Sequence, residues 1–256
     1  MKVGETFKVK VLRENPATKS TKSYQEFSVP YEAGMTVLSA LLHAKEYSDH
    51  SIAIRYSCRM AACGSCGMMI NGLPRLACYT QVSELPESTI TVAPLEHYPV
   101  VRDLVTNSEN FFDKHKSVLP YLHRKDQTEQ ETSASEFAQS SKELEDFLQF
   151  SYCIKCGLCN AACPTMASDP AFVGPQALGQ AYRYVADSRD EGAIHRLKVV
   201  DTPHGVWRCH FAGSCSFVCP KGVDPALAIQ RLRRLTVTKS STKKAGARLM
   251  PALLTK

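Results

Sequence analysis

The chain has 256 residues, 44% of them hydrophobic, and a formal net charge of +6 that counts each of its eleven cysteines as neutral. That length can bury an ordinary core, and no apolar run approaches the roughly 18–20 residues of a membrane span, so no transmembrane segment is predicted. The opening MKVGETFKVK lacks the apolar heart of a secretion signal and the Arg/Ser bias of a transit peptide, which predicts a prokaryotic, cytoplasmic chain.

Phe7, Val9 and Val11 alternate in FKVKVL, and Phe27 and Val29 keep the same period in YQEFSVPYE, predicting two strands in a hairpin. MTVLSALLHAKEY changes to a helical period, with Val37, Leu38, Leu41 and Leu42 on one face and Thr36 as N-cap. A cysteine loop follows, then short strands at GMMI and ITVAP, an order that suggests a β-grasp unit. After Pro99, the residues Val101, Leu104, Val105, Phe111 and Phe112 fit a helix that VLPY ends. RKDQTEQETSAS (124–135) is polar and reads as a surface loop, and SKELEDFLQF resumes a helix. GPQALGQAYRYVADS places Pro175 at the first helical position and Ala177, Leu178, Ala181, Tyr182 and Val185 on one face. DPALAIQRLRRL starts in the same way, with Asp224 as cap. The second half is therefore expected to be all-helical, with cysteine loops between helices. The tail from about 238 is basic and reads as a frayed terminus rather than a lipid or partner contact.

The cysteines bunch: four lie between 58 and 78, four between 153 and 163, and three between 209 and 219. Disulfides join distant segments, whereas metal ligands crowd into tight loops, so these are read as metal-site thiolates in a reducing compartment. Cys58, Cys63, Cys66 and Cys78 fall as C-x4-C-x2-C-x11-C, whose first three positions match plant-type [2Fe–2S] spacing. Ala61, Ala62, Gly64, Ser65 and Gly67 leave room for a sharp bend and can aim backbone N–H groups at the sulfurs. Zinc would favour paired C-x2-C knuckles instead. Cys153, Cys156, Cys159 and Cys163 with Pro164 form the bacterial C-x2-C-x2-C-x3-C-P run, whose fourth cysteine serves the other of two clusters.

By reciprocity, Cys219 before Pro220 completes a [4Fe–4S] set of Cys153, Cys156, Cys159 and Cys219. The remaining Cys163, Cys209 and Cys215 have Ala212 where a fourth ligand would stand, which implies [3Fe–4S]; a four-iron centre with water or hydroxide as the last ligand is the rival. Bound clusters would carry negative charge that brings the net charge near zero, so the basic balance is not read as nucleic-acid binding.

These runs, with LACYT, FVGPQAL, YRYVADSRDEG and GVWRC, resemble the iron–sulfur subunit of the succinate dehydrogenase / fumarate reductase family over nearly the whole chain. The resemblance implies an oxidoreductase subunit without a substrate site of its own. It would dock between a FAD-containing flavoprotein and membrane anchor subunits with quinone, peripheral to the cytoplasmic face of a prokaryotic inner membrane. Missing Trp in CPTMASDP and the CRM of the first loop are similar to fumarate reductases, whereas His210 is similar to succinate dehydrogenases, so no direction of flux is assigned.

His210, Trp207, Gln230 and Arg233 are the implied quinone-proximal residues; Gln230 matches a glutamine seen near quinol, and Arg233 stands where a lysine is seen. The alternatives are a plain surface or supporting histidine for His210, packing for Trp207 and a solvated helix face for Gln230 and Arg233. Arg59 either tunes the first cluster or contacts the flavoprotein. His97, His115, His123, His195 and His204 lie outside any ligand spacing and read as structural or exposed. The expected organisation is α+β: a plant-type ferredoxin domain of β-grasp form at 1–105, a bacterial-ferredoxin-like helical domain at 106–238, and a tail at 239–256. A freely diffusing polyferredoxin, or the adaptor of a thiol-handling oxidoreductase, are the rival readings.

Overall fold

The computed structural model describes residues 3–18, 21–86, 88–125, 131 and 136–238. The tail and most of 124–135 lie outside the described residues. Strand β1 (Thr6–Arg13) pairs antiparallel with β2 (Ser23–Pro30), setting Phe7 opposite Val29 and Val9 opposite Phe27. All four side chains are buried, as the alternation predicts, and they face helix α1 (Val37–Tyr47) across one core. Thr36 starts α1 with a capping box: Ser39 N–H donates to Thr36 Oγ1 at 3.2 Å and Thr36 N–H donates to Ser39 Oγ at 2.8 Å. Two orphan donors are satisfied at once, an arrangement whose loss typically costs about 1 kcal/mol.

Strands β3 (Gly67–Ile70), β4 (Leu73–Leu76) and β5 (Thr89–Ala93) complete a sheet of order β2-β1-β5-β3-β4. Strand β5 runs parallel to β1 while the other pairs are antiparallel. A parallel pair cannot be joined by a tight turn, and here the long connection carries α1 and the first cysteine loop. β4 was not among the strands expected. It returns from β3 through Asn71 and Gly72, both at positive φ (47° and 76°), the residue pair that suits a two-residue hairpin.

The helix expected to follow Pro99 is instead a small hairpin, β6 (Val100–Arg102) and β7 (Val105–Thr106), and only then helix α2 (Glu109–Ser117). The cause is Asp103, which is buried at the turn with φ 48°. Its carboxylate accepts from Arg13 Nε at 3.1 Å, from the Glu14 N–H at 3.2 Å and from the Ala53 N–H at 2.9 Å. These long-range bonds outweigh the local helical period.

Beyond Thr106 the described residues contain no strand. SKELEDFLQF breaks into α3 (Ser141–Glu145) and α4 (Leu148–Ser151), followed by α5 (Leu158–Ala161), α6 (Pro164–Ser168), α7 (Pro175–Val185), α8 (Ala193–Val200), α9 (Ser214–Phe217) and α10 (Pro225–Thr238). Pro164 and Pro175 open α6 and α7, where their missing N–H costs nothing. Asp224 caps α10 by accepting from the Leu227 N–H at 2.9 Å. The apolar face of α7, from Ala177 to Val185, forms a second core with Ile229 and Leu232 of α10. Leu158 and Ala161 of α5 belong to the first core instead, so the helical half is packed directly against the sheet half.

Candidate iron–sulfur centres

The first cysteine loop reverses its backbone at Arg59, Ala61 and Gly64, whose φ values are 57°, 55° and 75°. These reversals turn N–H groups onto sulfur. Met60, Ala62 and Cys63 donate to Cys58 Sγ at 3.4, 3.3 and 3.3 Å. Ala61 donates to Cys78 Sγ at 3.4 Å, Ser65 to Cys63 Sγ at 3.5 Å and Cys78 to Cys66 Sγ at 3.4 Å. All four sulfurs thus accept from the backbone. Hydrogen bonding, from Ser65 foremost, draws the exposed Cys63 thiol down to about 6. Burial pushes Cys66 up to about 12, so its thiolate needs a cationic partner. A donor set of this kind fits a two-iron cluster. Gly64 makes no such bond and Gly67 opens β3; of the five small residues expected to donate, Ala61, Ala62 and Ser65 do.

The second and third loops share one backbone plan. Lys155 and Gly157 are left-handed (φ 56° and 80°) ahead of α5; Phe211 and Gly213 are left-handed (φ 57° and 75°) ahead of α9. In that register Cys153 corresponds to Cys209, Cys159 to Cys215, Cys163 to Cys219, and Cys156 to Ala212.

Cys219 lies near enough to act on the thiols of Cys153, Cys156 and Cys159, and the four line one cavity. Cys163 and Cys209 act on Cys215. Cys215 also acts on Cys159, so the two groups adjoin. Burial pushes Cys156 up to about 12, Cys215 up to about 11, and Cys159 well above its ordinary value. All eleven are free thiols, and among the described residues no three Cys, His, Asp or Glu gather around a single ion.

Around the third loop, Trp207 is half-exposed and donates its indole N–H to Asp201 Oδ1 at 2.8 Å. Arg233 of α10 donates to the Val206 carbonyl at 2.8 Å and to the Cys209 carbonyl, with its guanidinium 5.9 Å from the Trp207 ring centre. Trp207, Arg233 and Cys209 are thus brought together, and Arg233 is a brace on the loop rather than part of a solvated face. His210 is exposed beside Cys209. Gln230 is half-buried one turn before Arg233, and its Nε2 has no partner among the described residues. A cavity of about 670 Å³ lies on the other side of the third loop, lined by Cys163, Pro164, Ala212 and Phe217 together with His97 from the first half, and none of Trp207, His210, Gln230 and Arg233 lines it. At the other end of the chain's cysteine series, the Arg59 guanidinium lies 5.3 Å from the Tyr56 ring centre.

Two side chains near the cysteines carried no signal in the sequence. Tyr98 donates its hydroxyl to the Gly157 carbonyl at 3.1 Å, holding the second loop against the sheet half. Gln176, buried at the start of α7, reaches Cys153. Tyr98 belongs to no quoted motif, and Gln176 lies within FVGPQAL but outside any cysteine spacing; only the three-dimensional approach reveals their contacts.

Residues 8–113 match the family model of a 2Fe-2S iron-sulfur cluster binding domain, and residues 149–223 that of a 4Fe-4S dicluster domain. Fold and cysteine loops together define an α+β electron-transfer protein of the iron–sulfur class. The chain is 43% identical to a fumarate reductase iron-sulfur subunit of Mycobacterium tuberculosis, over 92% of this chain and 94% of the relative. It is 38% identical to a succinate dehydrogenase iron-sulfur subunit of Coxiella burnetii, over 87% of this chain and 94% of that one. A chain of the solved Mycobacterium smegmatis Sdh1 complex in the apo form shares the fold, with a TM-score of 0.83 at 22% identity, covering 94% of this chain and 100% of that chain. The chain belongs to the family of iron–sulfur subunits of succinate dehydrogenase and fumarate reductase. It carries [2Fe–2S], [4Fe–4S] and [3Fe–4S] clusters in an electron-transfer role.

Proposed function

We propose that the chain relays electrons between a FAD-containing flavoprotein, where succinate and fumarate interconvert, and quinone held by membrane anchor subunits. It sits peripherally on the cytoplasmic face of a prokaryotic inner membrane; no helix among the described residues is long and apolar enough to cross one. Cys58, Cys63, Cys66 and Cys78 hold [2Fe–2S]; Cys153, Cys156, Cys159 and Cys219 hold [4Fe–4S]; Cys163, Cys209 and Cys215 hold [3Fe–4S]. Bound in these loops, the clusters supply one-electron carriers between two-electron chemistry at either end. The chain's own residues fix the loops, exclude water from the buried thiolates and set the hydrogen bonds on sulfur.

The observation that carries this reading is the shared backbone of the second and third loops, with Ala212 in the place of Cys156. Alanine has no donor atom, so that centre is three-liganded. The boundary near residue 105 is supported by β7 ending at Thr106 and by Val118, just after α2, packing in the second core. Apolar side chains left exposed beside the cysteine loops support docking at both ends: Met60 and Tyr79 near the first loop, and Phe211 and Phe217 near the third. His210, Trp207, Gln230 and Arg233 line the quinone end.

Serine substitution tests the exchange of fourth ligands. Cys219→Ser should remove or alter the four-iron signal, and Cys163→Ser the three-iron signal. The reverse pattern would overturn the assignment.

A further inference from the structure

We propose that Gln176 is a redox-tuning residue: its side-chain amide, steered by His115, donates a hydrogen bond to the Cys153 sulfur and raises the reduction potential of the four-iron centre. This rests on the assignment of Cys153, Cys156, Cys159 and Cys219 as that centre's ligands. Gln176 is the second residue of α7, is 3% exposed, and is anchored by its own N–H donating to Asn160 Oδ1 at 3.3 Å. Its Nε2 lies 3.2 Å from His115 Nδ1 and 3.8 Å from Cys153 Sγ. The two amide protons thus have a ring nitrogen and a sulfur within reach.

The orientation of the amide follows from what it faces. A metal-bound thiolate has no proton to give, so the opposite orientation would set Oε1 against it, acceptor to acceptor. In the orientation observed, the buried Oε1 has no partner among the described residues. An unsatisfied buried carbonyl is costly, and the two donations from Nε2 offset that cost. His115 sits on α2 and is itself buried. Burial, and after it the charge of Lys155, hold its imidazole below the ordinary histidine range, so it is neutral; in the tautomer protonated at Nε2, Nδ1 accepts from Gln176. His115 thereby pins one amide proton and directs the other to sulfur.

A hydrogen bond to a ligating sulfur is stronger when the cluster holds the additional electron, so it stabilises the reduced state and raises the potential. No covalent bond changes; the effect is on one electron's equilibrium.

The test is an EPR-monitored redox titration of the purified complex carrying Gln176→Met, which keeps the side chain's length and removes its donors. The expected result is a lower midpoint for the four-iron signal alone, by roughly a tenfold change in the one-electron equilibrium, about 59 mV. The other signals and the iron content should be unchanged. Gln176→Leu, which also removes both donors, should lower the midpoint in the same direction. A midpoint unmoved in either iron-replete variant overturns the proposal.

In the unmodified complex, 15N labelling of glutamine side chains should give a hyperfine coupling at the reduced four-iron centre, and its absence is equally fatal. Cys153→Ser separates the two claims. If the four-iron signal and its iron survive that change unaltered, the ligand assignment has failed. If Cys153→Ser abolishes the signal while the glutamine variants leave the midpoint unmoved, the tuning role alone has failed.

Discussion

A Cβ placed on Gly64 would stand 2.7 Å from the Cβ of Cys156 and 2.8 Å from its Cα. The first and second cysteine loops therefore meet backbone to backbone, with a ligand of one centre against the loop of the other. Gly67 makes a second close approach, its added Cβ falling 3.1 Å from Leu158 Cδ2. Glycine at 64 both permits this contact and relieves the strain of its positive φ.

Gly64→Ala should consequently force the two loops apart. Overpacking at so close a contact costs about 1–3 kcal/mol, so the apparent Tm should fall. The magnetic interaction between the reduced two-iron and four-iron centres should weaken as well, read from EPR line broadening. Full stability and unchanged broadening would contradict the contact.

Ala212→Cys supplies the donor missing from the third loop. One additional iron per chain and loss of the oxidised three-iron EPR signal are expected, together with slower quinone reduction as the potential falls. An unchanged signal would mean that position 212 does not face the missing corner.

Arg196 is fully buried, paired with Asp190 and donating to the carbonyls of Val118, Leu119 and Tyr121 at 3.1, 2.9 and 2.7 Å. It ties α8 to the segment that follows α2. Removing one partner of a buried pair typically costs about 3–5 kcal/mol, and Arg196→Met should show a loss of that order in denaturant unfolding, with the cluster signals retained in whatever protein folds.

Asp187 has an acid-range consequence. Burial alone would raise its pKa, but hydrogen bonds and charge from Arg189, with Arg183, more than compensate and hold it below the ordinary carboxylate value. A depressed folded-state pKa contributes stability that is present above the ordinary carboxylate range and is lost as pH falls through the folded-state value. Asp187→Asn should lower stability at neutral pH and flatten the acid limb of a stability–pH profile. A profile parallel to that of the unmodified chain would contradict this.

The local periods of the sequence were sufficient for β1, β2, α1, α7 and α10, because each places its apolar residues on the face that the fold buries. They misled after Pro99, where Leu104 and Val105 fit a helix but Asp103 is held in a turn by Arg13, Glu14 and Ala53, from distant parts of the chain. The cysteine groups were legible because cluster chemistry imposes short spacings that survive in one dimension. Residues that act across the interior were not: Tyr98 meets Gly157, Gln176 meets Cys153, and Gly64 meets Cys156, through approaches between segments far apart in sequence. For Arg233 the sequence leaves a quinone-proximal place and a solvated helix face both open, because its position on α10 says nothing of the Cys209 carbonyl it reaches.

The most direct measurement is the low-temperature EPR spectrum of the air-oxidised complex, followed through stepwise reduction. Three cysteines around Ala212 should give the sharp oxidised-state signal of a three-iron centre, which disappears on reduction while a two-iron signal grows in. A complex with full iron content and no such oxidised signal would show that Cys163, Cys209 and Cys215 do not hold a three-iron centre.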